Sequence, residues 1–236
     1  MKKHKVLLII LGFIVLIIII GVVWFMLKQL MEANEIKDIT KEQLEQRFHR
    51  PVTVTNVDKQ WTENGSMYDV KVKLQGVNGT YEIGGYTGEF YNLWKYEVID
   101  DIWHKQFTKE MKKMFNTKGF KLKYIDADAT VPENIPIDIS KLPTIQEVRK
   151  EYGQKFVSND IQVTLQTKYP ETKKGQLEEN KKIFTLLKEM EKRGIARNLY
   201  LVIEYSDFKQ IYVIGVKDPK TNPYHKPEDL NKAKTK

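Results

Sequence analysis

An unbroken apolar stretch over residues 6–27, running from Val6 to Leu27, constrains this chain more than any other feature of it. Its 22 residues carry no charged or strongly polar side chain, and 18 of them are Leu, Ile, Val or Phe. At about 1.5 Å per residue they make a helix roughly 33 Å long, enough to cross a hydrocarbon core of about 30 Å with slight tilt. A helix buried in a globular core would keep a polar stripe, and this one has none.

The flanks set the expected orientation. Lys2, Lys3, His4 and Lys5 precede the stretch, whereas beyond Lys28 the chain turns mixed, with Glu32, Glu35 and Asp38. The positive-inside rule then keeps the N-terminus in the cytoplasm and puts the rest outside, with Trp24 at the outer interface. A cleaved signal has an apolar region of only about 7–15 residues and a small-residue cleavage site. Met26-Leu27-Lys28-Gln29-Leu30 offers no such site. The expectation is an uncleaved signal anchor: a single-pass cell-membrane protein with an extracytoplasmic C-terminal domain.

The chain has no cysteine, which excludes a disulfide framework, a thiolate nucleophile and Cys-ligated metal. Its formal charge of +8 needs one correction. Four of the 39 basic residues (Lys2, Lys3, Lys5, Lys28) flank the anchor, leaving 35 against 31 acidic ones, or +4. That excess favours screened contact with anionic headgroups or wall polymer. It is no nucleic-acid footprint, which needs clustered basic residues among stacking aromatics.

Beyond the anchor the pattern predicts an α+β protein with two helix-on-antiparallel-sheet lobes. Residues 1–28 are the cytoplasmic stub and anchor, and 29–39 a juxtamembrane linker. A first lobe spans 40–129, a proline-rich linker 130–143, a second lobe 144–216 and a disordered basic tail 217–236. Thr40 and Gln43 read as a capping box opening a helix to Phe48, which Pro51 ends. Asn64-Gly65 and Asn78-Gly79 read as type I′ hairpin turns. Between them Tyr68, Val70, Val72 and Leu74 alternate with polar residues, a strand with one dry face. Both Asn-Gly-Ser/Thr triplets also match glycosylation sites, but the turns account for them. A helix over 96–115 carries Ile99, Trp103, Phe107, Met111, Met114 and Phe115 at spacings of three to four, and should pack on the meander. Lys118-Gly119 ends it, and 120–125 is a strand.

Pro132, Pro136 and Pro143, with isoleucines between them, suggest an extended surface segment and the lobe boundary. Thr144 and Glu147 form a second capping box, for a helix that Gly153 closes. Asp160-Ile161-Gln162-Val163 echoes Asp69-Val70-Lys71-Val72, so the lobes could be a degenerate duplication. A helix over 176–193 ends at Gly194, and strands over 199–205 and 210–216 turn at Ser206-Asp207.

The search for chemistry is mostly negative. The four histidines (His4, His49, His104, His225) show no metal-ligand spacing, and no serine sits in a nucleophile elbow. Gly84-Gly85-Tyr86-Thr87-Gly88 lacks the lysine of a phosphate loop and reads as a bulge and turn. Glu97, Asp101 and His104 share one helix side next to Asp100; this is either a weak metal or acid–base site or, more simply, a solvated helix edge. Tyr86, Phe90, Tyr91, Trp94 and Tyr96 crowd together as a core segment or a contact surface. No catalytic residue, cofactor or metal is expected. The reading is a non-catalytic interaction, regulatory or immunity-type module. Its expected partners are the lipid bilayer, through 6–27, and another envelope or extracellular protein. An envelope hydrolase or metal-dependent enzyme, and a structural spacer touching wall polymer or headgroups, are the alternatives.

Overall fold

The computed structural model describes residues 2–93, 96–214 and 223–235. The fold is mixed α+β, one long N-terminal helix followed by sheet-plus-helix units, and the chain divides into Met1–Trp94 and Lys95–Lys236.

In the first unit a single helix, α1 (Lys2–Phe48), runs through the expected linker without a break. The charged residues after Lys28 are good helix formers, so nothing there stops the helix. Thr40 is therefore not a cap; its hydroxyl donates to the Ile36 carbonyl one turn back, at 2.7 Å. Ile36, Thr40, Leu44 and Phe48, spaced by four, form the buried stripe of the helix's second half. His49, at φ 50°, and Pro51 end it. The side chains of Phe13 through Leu27, by contrast, are exposed.

Strands β1 (Val52–Thr62), β2 (Gly65–Leu74) and β3 (Tyr81–Tyr86) form an antiparallel sheet in chain order. Tyr68, Val70, Val72 and Leu74 are buried, as alternation requires. The turns differ from expectation. Thr62 pairs with Gly65, so the first loop is Glu63-Asn64, and neither residue has the positive φ of a type I′ turn. The second connection is a six-residue loop, residues 75–80, relieved by positive φ at Gly76 and Gly79. A 3-10 turn (Glu89–Asn92) returns to α1, where the Gln43 amide donates to the Phe90 carbonyl at 2.6 Å and accepts from the Leu93 N–H at 3.2 Å.

The second unit contains α2 (Glu97–Thr117), β4 (Leu122–Thr130), α3 (Ile145–Tyr152), β5 (Ser158–Leu165), α4 (Lys173–Lys192), β6 (Leu199–Glu204), β7 (Lys209–Ile214) and the short β8 (Lys234–Thr235). Its sheet has the order β4-β5-β6-β7-β8. The division at 94/95 corrects the boundary expected at 130–143. Strand β4 pairs with β5 across that segment, and α2, which buries every one of its predicted core residues, packs on β4. The proline-rich segment is a strap inside this unit. Ile135, Ile137 and Ile139 are buried, and the Trp103 indole N–H donates to the Pro143 carbonyl at 2.7 Å. Prolines keep this backbone out of a strand ladder, and side chains bond it instead: Tyr96, just ahead of α2, donates to the Ile135 carbonyl, and Tyr152 of α3 to that of Pro136.

The Thr144–Glu147 capping box is formed, and Gly153 closes α3 at φ 100°. The sheet is not wholly antiparallel, because β5 and β6 run parallel with α4 as their crossover. Strand β2, by comparison, has antiparallel neighbours on both sides, so the echo at 160–166 is not a repeated topology. The tail is not disordered over its described part. Pro227–Ala233 forms a 3-10 helix, Leu230 and Tyr224 are buried, and β8 pairs with β7. Residues 217–222 of the expected tail lie outside the described residues.

Candidate functional site

The second unit's sheet buries one face and leaves much of the other exposed, with Val202 buried at the middle of β6. On β5, Asn159, Ile161 and Val163 are buried while Ser158, Asp160 and Gln162 are exposed, and β4 alternates in the same way around buried Ala127 and Ala129. Register aligns the outward residues into rows. Asp128 stands opposite Asp160, Asp160 beside Tyr200, and Tyr200 opposite Val213. Tyr200 is 38% and Val213 43% exposed. Asp128, Thr130, Ser158, Asp160, Asn198 and Tyr200 line a shallow cavity of about 350 Å³ at one end of this face. Its floor is fixed by buried Asn159, whose amide donates to the Ile195 and Asn198 carbonyls at 2.9 and 3.2 Å.

Helix α2 lies along the free edge of β4. The Thr108 hydroxyl donates to the Ala127 carbonyl and accepts from the Ala127 N–H, both at 3.0 Å, so the edge is closed to further pairing there. Asp100 and His104 continue the same stripe at intervals of four. The His104 Nε2 lies 3.1 Å from an Asp126 carboxylate oxygen, and Nδ1 lies 3.8 Å from Asp128. Burial, then the charges of Asp128 and Glu97, push the Asp100 carboxyl up to about 7. One of its oxygens is buried without a hydrogen-bond partner among the described residues. Asp160 is raised as well, by burial and then by Asp128 and Asp126, against an opposing hydrogen bond from Gln162. Like charges placed directly opposite on a sheet oppose its pairing, so this face keeps its negative potential at the expense of stability.

Of the helix-edge residues, Asp101 turns away and pairs with Lys105 at 2.8 Å, while His104 and Asp100 turn towards β4. Among the described residues no three His, Asp or Glu side chains are placed to hold a metal. Sequence reasoning missed Asp126, Asp128 and Asp160. The alternating Asp126-Ala127-Asp128-Ala129 marked a strand with acidic residues on one face, but only the register shows that it meets Asp160.

The aromatic run is not one surface. Phe90 is buried edge-to-face on Tyr68, and Tyr96 is buried at the start of α2. Tyr86 is half-buried, and Tyr91 is exposed with its hydroxyl on Glu35. Trp94 lies outside the described residues. The 3-10 turn points Phe90 inward, which leaves Tyr91 as the exposed contact candidate of that group.

No protein-family model matches the sequence. No curated protein matches it either. A crystal structure of a DUF5037 family protein from Ruminococcus gnavus ATCC 29149 is similar over 84% of this chain and 98% of that one, with 13% sequence identity and a TM-score of 0.44.

Proposed function

We propose that the protein is a single-pass membrane protein, N-terminus cytoplasmic and both folded units outside, that works by binding and not by catalysis. The observation that carries the reading is the exposed apolar surface of Phe13 through Leu27 on a helix that continues unbroken into a folded unit. A bilayer is the solvent that such a surface requires. The binding face is the open side of the second unit's sheet, and its partner is an envelope protein that presents basic side chains to Asp126, Asp128 and Asp160 beside Tyr200. Charge complementarity and an exposed tyrosine suit it to such a partner.

The absence of cysteine makes the topology directly testable. A single cysteine at Thr53 should react with a membrane-impermeant maleimide on intact cells, and one at Lys3 should not; the reverse pattern overturns the orientation. A photo-cross-linker at Tyr200 should then capture a partner in a salt-sensitive manner, and the double variant D128N/D160N should lose it. Capture that is indifferent to both salt and charge removal refutes the binding face. The acid–base alternative draws on Asp100 beside His104 and Asp126. Under that reading His104→Ala would abolish an activity, and an activity unchanged by it would exclude this pair as the site.

A further inference from the structure

The β1–β2 hairpin runs back along α1. From Phe48 to Phe25 the helix covers about 35 Å, and from Val52 to Trp61 the extended strand covers about 30 Å, so the hairpin tip reaches the level of Phe25. The side chains record this descent. Lys59 Nζ meets the Glu32 carboxylate at 2.5 Å, the Tyr68 hydroxyl donates to the same carboxylate at 3.1 Å, and Trp61 stacks on Phe25 with ring centroids 6.4 Å apart. Lys59 also lies 4.3 Å above the Trp61 ring. Yet Trp61 is 66% exposed, and on the helix so are the residues flanking Phe25 in sequence, Trp24 at 72% and Met26 at 60%. Phe25 belongs to the outer end of the apolar stretch. An indole held at that height, with a lysine ammonium and a phenylalanine ring of the apolar stretch against it, has the surroundings that tryptophans of membrane interfaces occupy.

We infer that the β1–β2 hairpin is a second membrane contact: its tip enters the headgroup zone of the same bilayer that takes the apolar helix, with Trp61 as the anchor. This rests on the membrane-spanning reading of α1. The occupant of the exposed Trp61 surface is lipid, because that surface is continuous with the exposed apolar surface of the helix. The helix and the hairpin then grip the bilayer at two points, and the Lys59–Glu32 pair fixes their separation just above it.

The test is nitroxide depth measurement on the full chain in phosphatidylcholine vesicles, with single cysteines at Phe13, Asn64 and Thr53 in turn. The Phe13 site reports whether the helix spans, the Asn64 site reports the hairpin tip, and the Thr53 site is the water-exposed reference. The expected result is strong oxygen access at Phe13 and access of a soluble nickel chelate to Asn64 several-fold below that at Thr53. Trp61→Ser should raise chelate access at Asn64 towards the Thr53 level. A deep Phe13 with Asn64 as accessible as Thr53 overturns the hairpin contact and leaves the span intact. A water-accessible Phe13 overturns the span, and the hairpin contact with it.

Discussion

Replacing Asp100 by Asn should stabilise the protein at pH 8 more than at pH 5. The carboxyl is raised from its ordinary 3.8 to about 7, mainly by burial and then by Asp128 and Glu97. A raised acid binds its proton more tightly in the folded state, so stability falls as pH rises from the unfolded value towards the folded one. About three pH units at about 1.4 kcal/mol each make a full loss of about 4 kcal/mol, of which about 3 falls between pH 5 and 8. Asp100 is partly solvated, so screening reduces that to about 1–2 kcal/mol. Asparagine keeps the shape and removes the charge. Charges common to both proteins cancel in the comparison. For a unit of this size 1 kcal/mol moves Tm by about 2–4 °C. Thermal unfolding of the detergent-solubilised full chain, followed by intrinsic fluorescence with Trp103 buried on the same helix, should show a pH 5 to 8 drop in Tm about 4 °C smaller for the variant than for the wild type. Parallel pH profiles for the two proteins would refute the reasoning, because the buried charge would then be absent.

Other substitutions test the frame around the face. Thr108→Val removes both partners of the Ala127 backbone and should lower stability by about 1–3 kcal/mol, whereas Thr108→Ser, which keeps the hydroxyl, should recover most of it in the same melt. Leu230→Ala should lower stability by about 2–4 kcal/mol, since this side chain is fully buried; an unchanged melt would return residues 223–235 to the status of a loose tail. Arg149 is buried, stacks 4.9 Å from the Phe107 ring centroid and donates to Asn159, but its Nε and Nη1 find no hydrogen-bond partner among the described residues. Burial holds it down at about 10. Arg149→Lys keeps the buried charge without the planar stack and should be less stable than Arg149→Met in chemical denaturation.

The sequence exposed those features whose cause is local. The apolar run needs no neighbour to be recognised, and the core stripe of α2 follows from spacing alone. Thr144 with Glu147, and the glycines at 119, 153 and 194, mark helix ends through their own chemistry. Failures came where one residue has two local options. Thr40 can cap a helix or bond back to Ile36, and the choice depends on whether residues 29–39 are already helical. Asn64-Gly65 suits a type I′ turn, but the pairing of Thr62 with Gly65 places the turn one residue earlier. The prolines at 132, 136 and 143 mark a segment without α-helix or ladder pairing, but it is not extended throughout: it turns where the Ile135 N–H donates to the Pro132 carbonyl and again in a 3-10 helix at Ile139–Lys141. That the isoleucines between them face inward depends on Tyr96 and Trp103, which no local pattern supplies.

The acidic face was hidden for a related reason. Asp128 and Asp160 are far apart in sequence and meet only because β4 and β5 pair in one register; a shift of one residue would point one of them into the core. Each strand of the pair is tied separately: Asn159 holds β5 to the Ile195 and Asn198 carbonyls ahead of β6, and Thr108 holds the free edge of β4 at Ala127. Burial of Ala127, Ile161 and Val163 supplies the stability that two opposed carboxylates subtract. A sheet organised only for stability would have a lysine opposite Asp128. With Asp160 in that place, the strand pair sets two carboxylates side by side, and His104 is the basic side chain placed beside this row, 3.1 Å from Asp126 and 3.8 Å from Asp128.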